Sequence, residues 1–283
     1  MGGNAMKVIG RSRRIWFAQV TALASTVVVP QLVRAQTTPL VDLPERGFRL
    51  LSGGAVFAGG AVALPGFEIV HAVFKPWVPL EVGYAAIASH LESVGRPLQA
   101  LCGMELRLPR QLSVEEFQAF NGPYVERLVR WGLMVEGRVP VSRTNVAPTV
   151  DPPEVPGVHG FSYTVPADSP GGNFVMSGMT ENSPSGVVAA GDTSAAGMRQ
   201  KVEYVVRAVT RRLDQLGVSF NDASHVEFYG SRGLEALISD LVIPAAGRGA
   251  HRGVRWHPGR PPVQGLEIEL EARNVAREIS LGH

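Results

Sequence analysis

The chain has 283 residues, 45% of them apolar and 18% charged, with a formal net charge of +2. That length gives a prior of about two domains with full hydrophobic cores, and so small a net charge argues against a dedicated nucleic-acid binder. The one cysteine, Cys102, excludes an internal disulfide framework and any Cys-rich metal site.

Residues 1–35 read as an address. Lys7, Arg11, Arg13 and Arg14 precede an uncharged stretch over 15–33, and Val33-Arg34-Ala35 supplies a small-residue cleavage pattern. Ser12-Arg13-Arg14-Ile15-Trp16-Phe17 resembles a twin-arginine export signal, so the expectation is export to the periplasm, with a cytoplasmic chain as the alternative. Gln19, Thr21, Ser25, Thr26 and Pro30 make the stretch weakly apolar for a span of about 20 residues. No stable membrane span is expected after cleavage.

Residues 36–45 read as a linker. Strands are expected at 48–57 and 66–74, a helix at 79–94 and a buried strand at 99–108. Ser113 and Glu116 have capping-box spacing, so a helix starts there with Phe117, Phe120, Tyr124, Leu128 and Trp131 on one face and a bend at Gly122-Pro123. A strand at 139–146 follows. Pro152, Pro153 and Pro156 exclude helix and central strand, which places a domain boundary at Gly157 and gives domains 46–157 and 158–283. The strand at 158–165 could close the first unit or open the second. Beyond it the pattern predicts a strand at 174–179, a long helix at 194–216, a strand at 223–229, a short helix at 234–241, strands at 251–256 and 266–272, and a frayed polar tail after Arg273.

The chain also repeats itself 122 residues apart: Leu91 falls on Leu213, Gly95 on Gly217 and Glu105 on Glu227, with apolar positions such as Ile87 and Val209 in step. A fixed-period repeat implies two copies of one unit, here helix, glycine stop and strand. Any pocket is then expected between copies.

Several motifs fit this frame. Phe117-x-x-x-Asn121-x-x-Tyr124 is followed by Arg143-Thr-Asn-Val146, and the second half carries Phe174-Val-Met-Ser177-Gly178, Arg252-Gly-Val and Leu266-Glu-Ile-Glu269-Leu-Glu271-Ala272. In this order they resemble the RidA/YjgF family of enamine and imine deaminases. The resemblance implies an α/β (α+β) fold of two tandem RidA-like domains, each a small mixed sheet with two helices on one face, assembled as a homotrimer. The first domain reads as degenerate, because His159-Gly-Phe-Ser-Tyr-Thr-Val165 lacks a carboxylate. Each half keeps what the other lacks, so the active site is expected where unlike copies meet.

The implied activity is hydrolysis of an enamine or imine acid, possible substrates including a 2-aminomuconate, to the 2-oxo acid and ammonia. A guanidinium grips the substrate carboxylate through parallel charge-assisted bonds, and a partly desolvated carboxylate shuttles the proton of the attacking water. Arg252 and Glu269 are the implied catalytic residues, and Arg143, Ser177, Gly178, Asn121 and Tyr163 the implied substrate-binding residues. No cofactor is expected, because an imine is already electrophilic. No metal is expected either: the histidines lack metal-ligand spacing. Arg248 to Arg260 is too short and too acid-matched a basic run to indicate nucleic acid. The competing expectation is a non-catalytic small-molecule-binding or assembly protein that retains the fold.

Overall fold

Apolar residues that recur at every second or at every third to fourth position decide which segments become strands and which become helices. The computed structural model describes Met1 and residues 40–169, 171–231 and 233–282. The candidate export signal lies outside the described residues, Met1 aside. An antiparallel meander opens the fold, with β1 (Leu40–Leu43), β2 (Phe48–Leu51) and β3 (Gly60–Ala63). Part of the expected linker is therefore strand, because Leu43 is buried and β1 pairs with β2.

Next come β4 (Phe67–Pro79), α1 (Leu80–Ser93), β5 (Leu101–Arg107), α2 (Val114–Arg130), β6 (Ser142–Pro148) and β7 (Gly157–Pro166). The α2 capping box forms, with the Ser113 hydroxyl accepting from the Glu116 N–H and the Glu116 carboxylate accepting from the Ser113 N–H. Pro123 sits inside a helix that continues to Arg130. Tyr84, Ile87 and Leu91 of α1 and Tyr124 and Leu128 of α2 pack on Val70, Leu101, Met104 and Phe161 of the strands beneath. Each such buried side chain contributes about 1.5–3 kcal/mol.

The remainder runs through β8 (Phe174–Met176), β9 (Met179–Thr180), the small hairpin β10 (Asn182–Ser183) and β11 (Gly186–Val187), and the long α3 (Ala195–Leu216). Ser194 caps α3 through its hydroxyl, and Gly217, in the left-handed region at φ 74°, ends it. After β12 (His225–Gly230) come α4 (Glu235–Leu237), a π-helical turn, α5 (Ile243–Ala246) and a 3-10 turn at Gly247–Arg252. Then follow β13 (Arg255–Arg260), β14 (Glu269–Asn274) and β15 (Arg277–Leu281). The strand expected at 251–256 thus starts later. Gly249 is pressed so closely on the Phe220 carbonyl that only a glycine fits this turn.

One mixed sheet results, in the order β1-β2-β3-β8-β14-β12-β13-β6-β5-β7-β4-β15, with β9 beside β14. β7 pairs with β4 and β5, so it closes the first set of strands, on the other side of the boundary expected at Gly157. The tail expected to fray is ordered as β15, which pairs parallel with β4. The described residues from Leu40 onward form one compact unit. The halves meet edge to edge where Ala147 and Pro148 of β6 face Arg260 and Gly259 of β13. They also share an apolar cluster that includes Leu50, Ala61, Ile69, Cys102 and Val175.

Buried charges cross the same seam. Arg273 bonds Glu105 at 2.8 Å, Glu271 at 2.6 Å and Glu227 at 3.2 Å. Burial alone would raise Glu105, but Arg273, His71 and Arg107 hold it well below the usual carboxylate range. The glutamates that the repeat aligns, Glu105 and Glu227, therefore share one guanidinium. The 3-10 turns before their strands, Leu98–Ala100 and Phe220–Asp222, keep the same 122-residue offset.

Candidate active site

A cleft of about 170 Å³ lies between elements of the two halves. Its lining includes Phe117 of α2, Arg143 and Asn145 of β6, Gly178 ahead of β9, Glu269 of β14, and Phe57 from the loop before β3. Arg143 and Asn145 are two apart on one strand, so both present to the same side. The far rim, Pro262, Val263 and Leu266, is stapled to the start of α2. There the Gln111 amide lies within 3.1 Å of the carbonyls of Pro261, Val263 and Leu266, and Leu112 donates its N–H to Pro262.

Arg143 is held in an aromatic box. Its guanidinium carbon lies 4.7 Å from the Tyr124 ring centroid, 5.6 Å from Phe117 and 5.8 Å from Phe57. Nη2 donates to Asn121 Oδ1 at 2.9 Å, while Nη1 is buried without a hydrogen-bond partner. Burial lowers the guanidinium pKa, and Tyr124, Tyr84 and Glu269 oppose that shift. Ser177 fixes the backbone beside it: the hydroxyl accepts from the Arg143 N–H at 2.7 Å and donates to the Ala58 carbonyl at 2.7 Å.

Glu269 faces this arginine from β14 and is only 3% exposed. Burial first, and then the Glu271 carboxylate, push it up to about 8, against the Asn145 backbone N–H and the guanidinium groups of Arg107 and Arg143. Its Oε2 has no hydrogen-bond partner. Gly178 makes room for it: a Cβ there would stand 2.7 Å from Glu269 Cδ, 2.8 Å from Cγ and closer still to Oε1.

The chain anchors the approach to Glu269 from behind. Both carboxylate oxygens of Glu181 accept backbone N–H bonds, at 2.6 Å from Glu267 and 3.2 Å from Ile268, and Lys201 lies 3.5 Å from Glu181 with both side chains fully buried. A carboxylate bound to two successive N–H groups fixes the backbone that presents the next residue.

Of the residues expected from sequence, Arg143, Gly178 and Glu269 line the cleft, and Asn121 and Ser177 brace Arg143 from behind it. Arg252 does not join them. It is exposed on the 3-10 turn, so the cleft's guanidinium is that of Arg143. Tyr163 is also elsewhere, 3% exposed in the first-half core, where it bonds His90 at 2.8 Å and stacks on Phe161. Sequence reading passed over Asn145 and Phe57. The spacing from Arg143 pointed to the first, and nothing local marked the second, which arrives from a distant loop.

Residues 40–279 match the family model described as "2-aminomuconate deaminase CnbZ". The chain belongs to this family. A 2-amino-5-chloromuconate deaminase of Comamonas testosteroni is 36% identical to it over 245 residues, covering 83% of this chain and 96% of that protein. Among solved structures, a chorismatase is 12% identical over 81% of this chain and 77% of its own, with a TM-score of 0.44. A Rid-family protein of unknown function from Yersinia pestis is 14% identical over 36% and 76%, with a TM-score of 0.28. As a member of a deaminase family, the chain is an enzyme that acts on a carbon–nitrogen bond. Among the described residues no helix is long and apolar enough to cross a membrane.

Proposed function

We propose that the chain is a cofactor-independent deaminase that hydrolyses an enamine or imine acid of the 2-aminomuconate type to the 2-oxo acid and ammonia. The observation that carries this reading is convergence. Arg143 Nη1, both amide atoms of Asn145 and Glu269 Oε2 are buried, lack hydrogen-bond partners and belong to residues of one cleft. Buried polar groups are nearly always paired, so four such atoms around one cavity await a polar ligand. The family membership and the activity named for the Comamonas testosteroni relative support the substrate class.

In this reading Arg143 grips the carboxylate next to the reacting carbon, and Phe57 and Phe117 flank the planar unsaturated chain. Raised to about 8, Glu269 carries its proton at neutral pH and therefore begins as the acid. It protonates the enamine carbon, which converts C=C–N to C=N. The resulting carboxylate then takes a proton from water as the water oxygen bonds to the imine carbon, and returns it to nitrogen. As the C–N bond breaks with its electron pair going to nitrogen, the hydroxyl oxygen forms the C=O bond and gives its proton to the Glu269 carboxylate, so ammonia and the 2-oxo acid leave and the acid is restored. The carbon of an imine is electrophilic by itself, so no cofactor enters these steps.

The test is to mix purified protein with freshly generated 2-aminomuconate and follow ammonia release. The expected result is acceleration over buffer that falls by at least about a hundredfold in Arg143→Ala and Glu269→Gln, on the scale of acid–base catalysis. No acceleration by the wild type would overturn the reading. The family resemblance further supports a homotrimer, which light scattering on the eluting protein checks. The arginine pair at the N-terminus supports export, which fractionation of periplasm from cytoplasm checks.

A further inference from the structure

The Asn145 side chain has no duty in the proposed chemistry, yet the residue is 4% exposed and both its Nδ2 and its Oδ1 lack a partner. A buried polar group left unpaired has lost its bonds to water and gained none in return. Two on one side chain, facing a cavity, mark a place where a ligand supplies both a donor and an acceptor. Because neither atom is paired, either orientation of the amide offers the cleft both functions.

The other unpaired atoms divide the ligand between them. Arg143 Nη1 is a cationic donor and suits a carboxylate oxygen. Glu269 Oε2 belongs to the group that must exchange a proton, which leaves Asn145 Oδ1 as the neutral acceptor. Asn145 follows Arg143 by two residues on β6, about 7 Å along the strand at 3.3 Å per residue. A ligand whose carboxylate is held by Arg143 thus presents the next atom, the nitrogen of a 2-amino or 2-imino acid, toward Asn145. We propose that the Asn145 side-chain amide recognises the substrate's nitrogen, Oδ1 accepting from its N–H while Arg143 holds the adjacent carboxylate. This rests on the deaminase reading of the same cleft. It adds the origin of selectivity for a nitrogen-bearing acid over the same acid without nitrogen.

Binding, measured by titration calorimetry on the full chain, tests this with two stable planar probes. Pyrrole-2-carboxylate carries an N–H next to the carboxylate-bearing carbon, and thiophene-2-carboxylate has sulfur in its place. The wild type is expected to bind the pyrrole about tenfold tighter, the size of one hydrogen bond. Asn145→Leu should bring the pyrrole down to the thiophene level and leave the thiophene within about threefold, whereas Arg143→Lys should weaken both. Equal binding of the two probes by the wild type, or a preference that survives in Asn145→Leu, overturns the role of Asn145 alone. Failure of the wild type to bind either probe overturns the carboxylate grip, and the deaminase reading with it. Should Asn145→Leu fail to fold, Asn145→Ala and the wild-type ratio carry the same decision.

Discussion

Gly178→Ala isolates the geometry on which the site depends. The added Cβ would meet Glu269 Cδ at 2.7 Å and Cγ at 2.8 Å, where carbon atoms rest at about 3.5–4.0 Å. The carboxyl group must therefore retreat by about 1 Å, and at 3% exposure it has no free solvent to retreat into. A displacement of that size costs about a hundredfold in rate. Forcing one methyl into a packed site costs a further 1–3 kcal/mol or so of stability, about 2–12 °C in Tm for a chain of this size. The assays are steady-state ammonia release from 2-aminomuconate and a thermal melt. Gly282→Ala is the control: outside its chain neighbours a Cβ there meets nothing within 4 Å, so rate and melt should both stay at the wild-type values. If Gly178→Ala keeps activity within about threefold of wild type and melts like it, Glu269 does not need its observed position and the argument fails.

Four further outcomes are expected. The folded pKa of Glu269 lies above its ordinary 4.5, so its contribution to stability is full at acid pH and is lost as pH rises toward and through about 8. Melting across pH 5–9 should show this loss, and Glu269→Gln should remove roughly 2–5 kcal/mol of it. Arg143→Lys keeps the charge but loses the fork, and should raise the apparent KM at least about tenfold in steady-state kinetics. Lys201→Met leaves the fully buried Glu181 without its cation and should cost about 3–5 kcal/mol in denaturant unfolding, with much of the loss recovered in the Lys201→Met, Glu181→Gln double variant. Arg252→Ala, on an exposed turn, should change neither kinetics nor stability beyond about 0.5 kcal/mol.

The buried seam shows why a carboxylate in a matched motif is not by itself catalytic. Glu105 and Glu227 are the most conspicuous pair in the repeat, yet both are spent on Arg273. Glu271, two residues from Glu269, bonds Thr144 and the same arginine. Alternation would allow Glu267, Glu269 and Glu271 to form a solvated face. Instead the last two are 3% exposed, because that side of β14 packs against β6, where Thr144 bonds Glu271 and the Asn145 N–H bonds Glu269. Of that series Glu269 alone has a buried oxygen without a hydrogen-bond partner.

What the sequence determined by itself was local. The capping box at Ser113, the glycine stop at Gly217 and the amphipathic faces of α1, α2 and α3 all depend on neighbours a few residues away, so hydrogen bonding and side-chain spacing fix them before the chain folds. Arg143, Gly178 and Glu269 were also legible, since their order along the chain follows the family pattern. Tertiary structure alone decided which groups meet. It carried Arg252 to an exposed turn and Tyr163 into the core, paired β7 with the first-half strands, and brought Phe57 beside Arg143. Pairing across the β6–β13 seam is a choice between edges remote in sequence, and burial there raised the pKa of one glutamate and made its neighbours ion-pair partners.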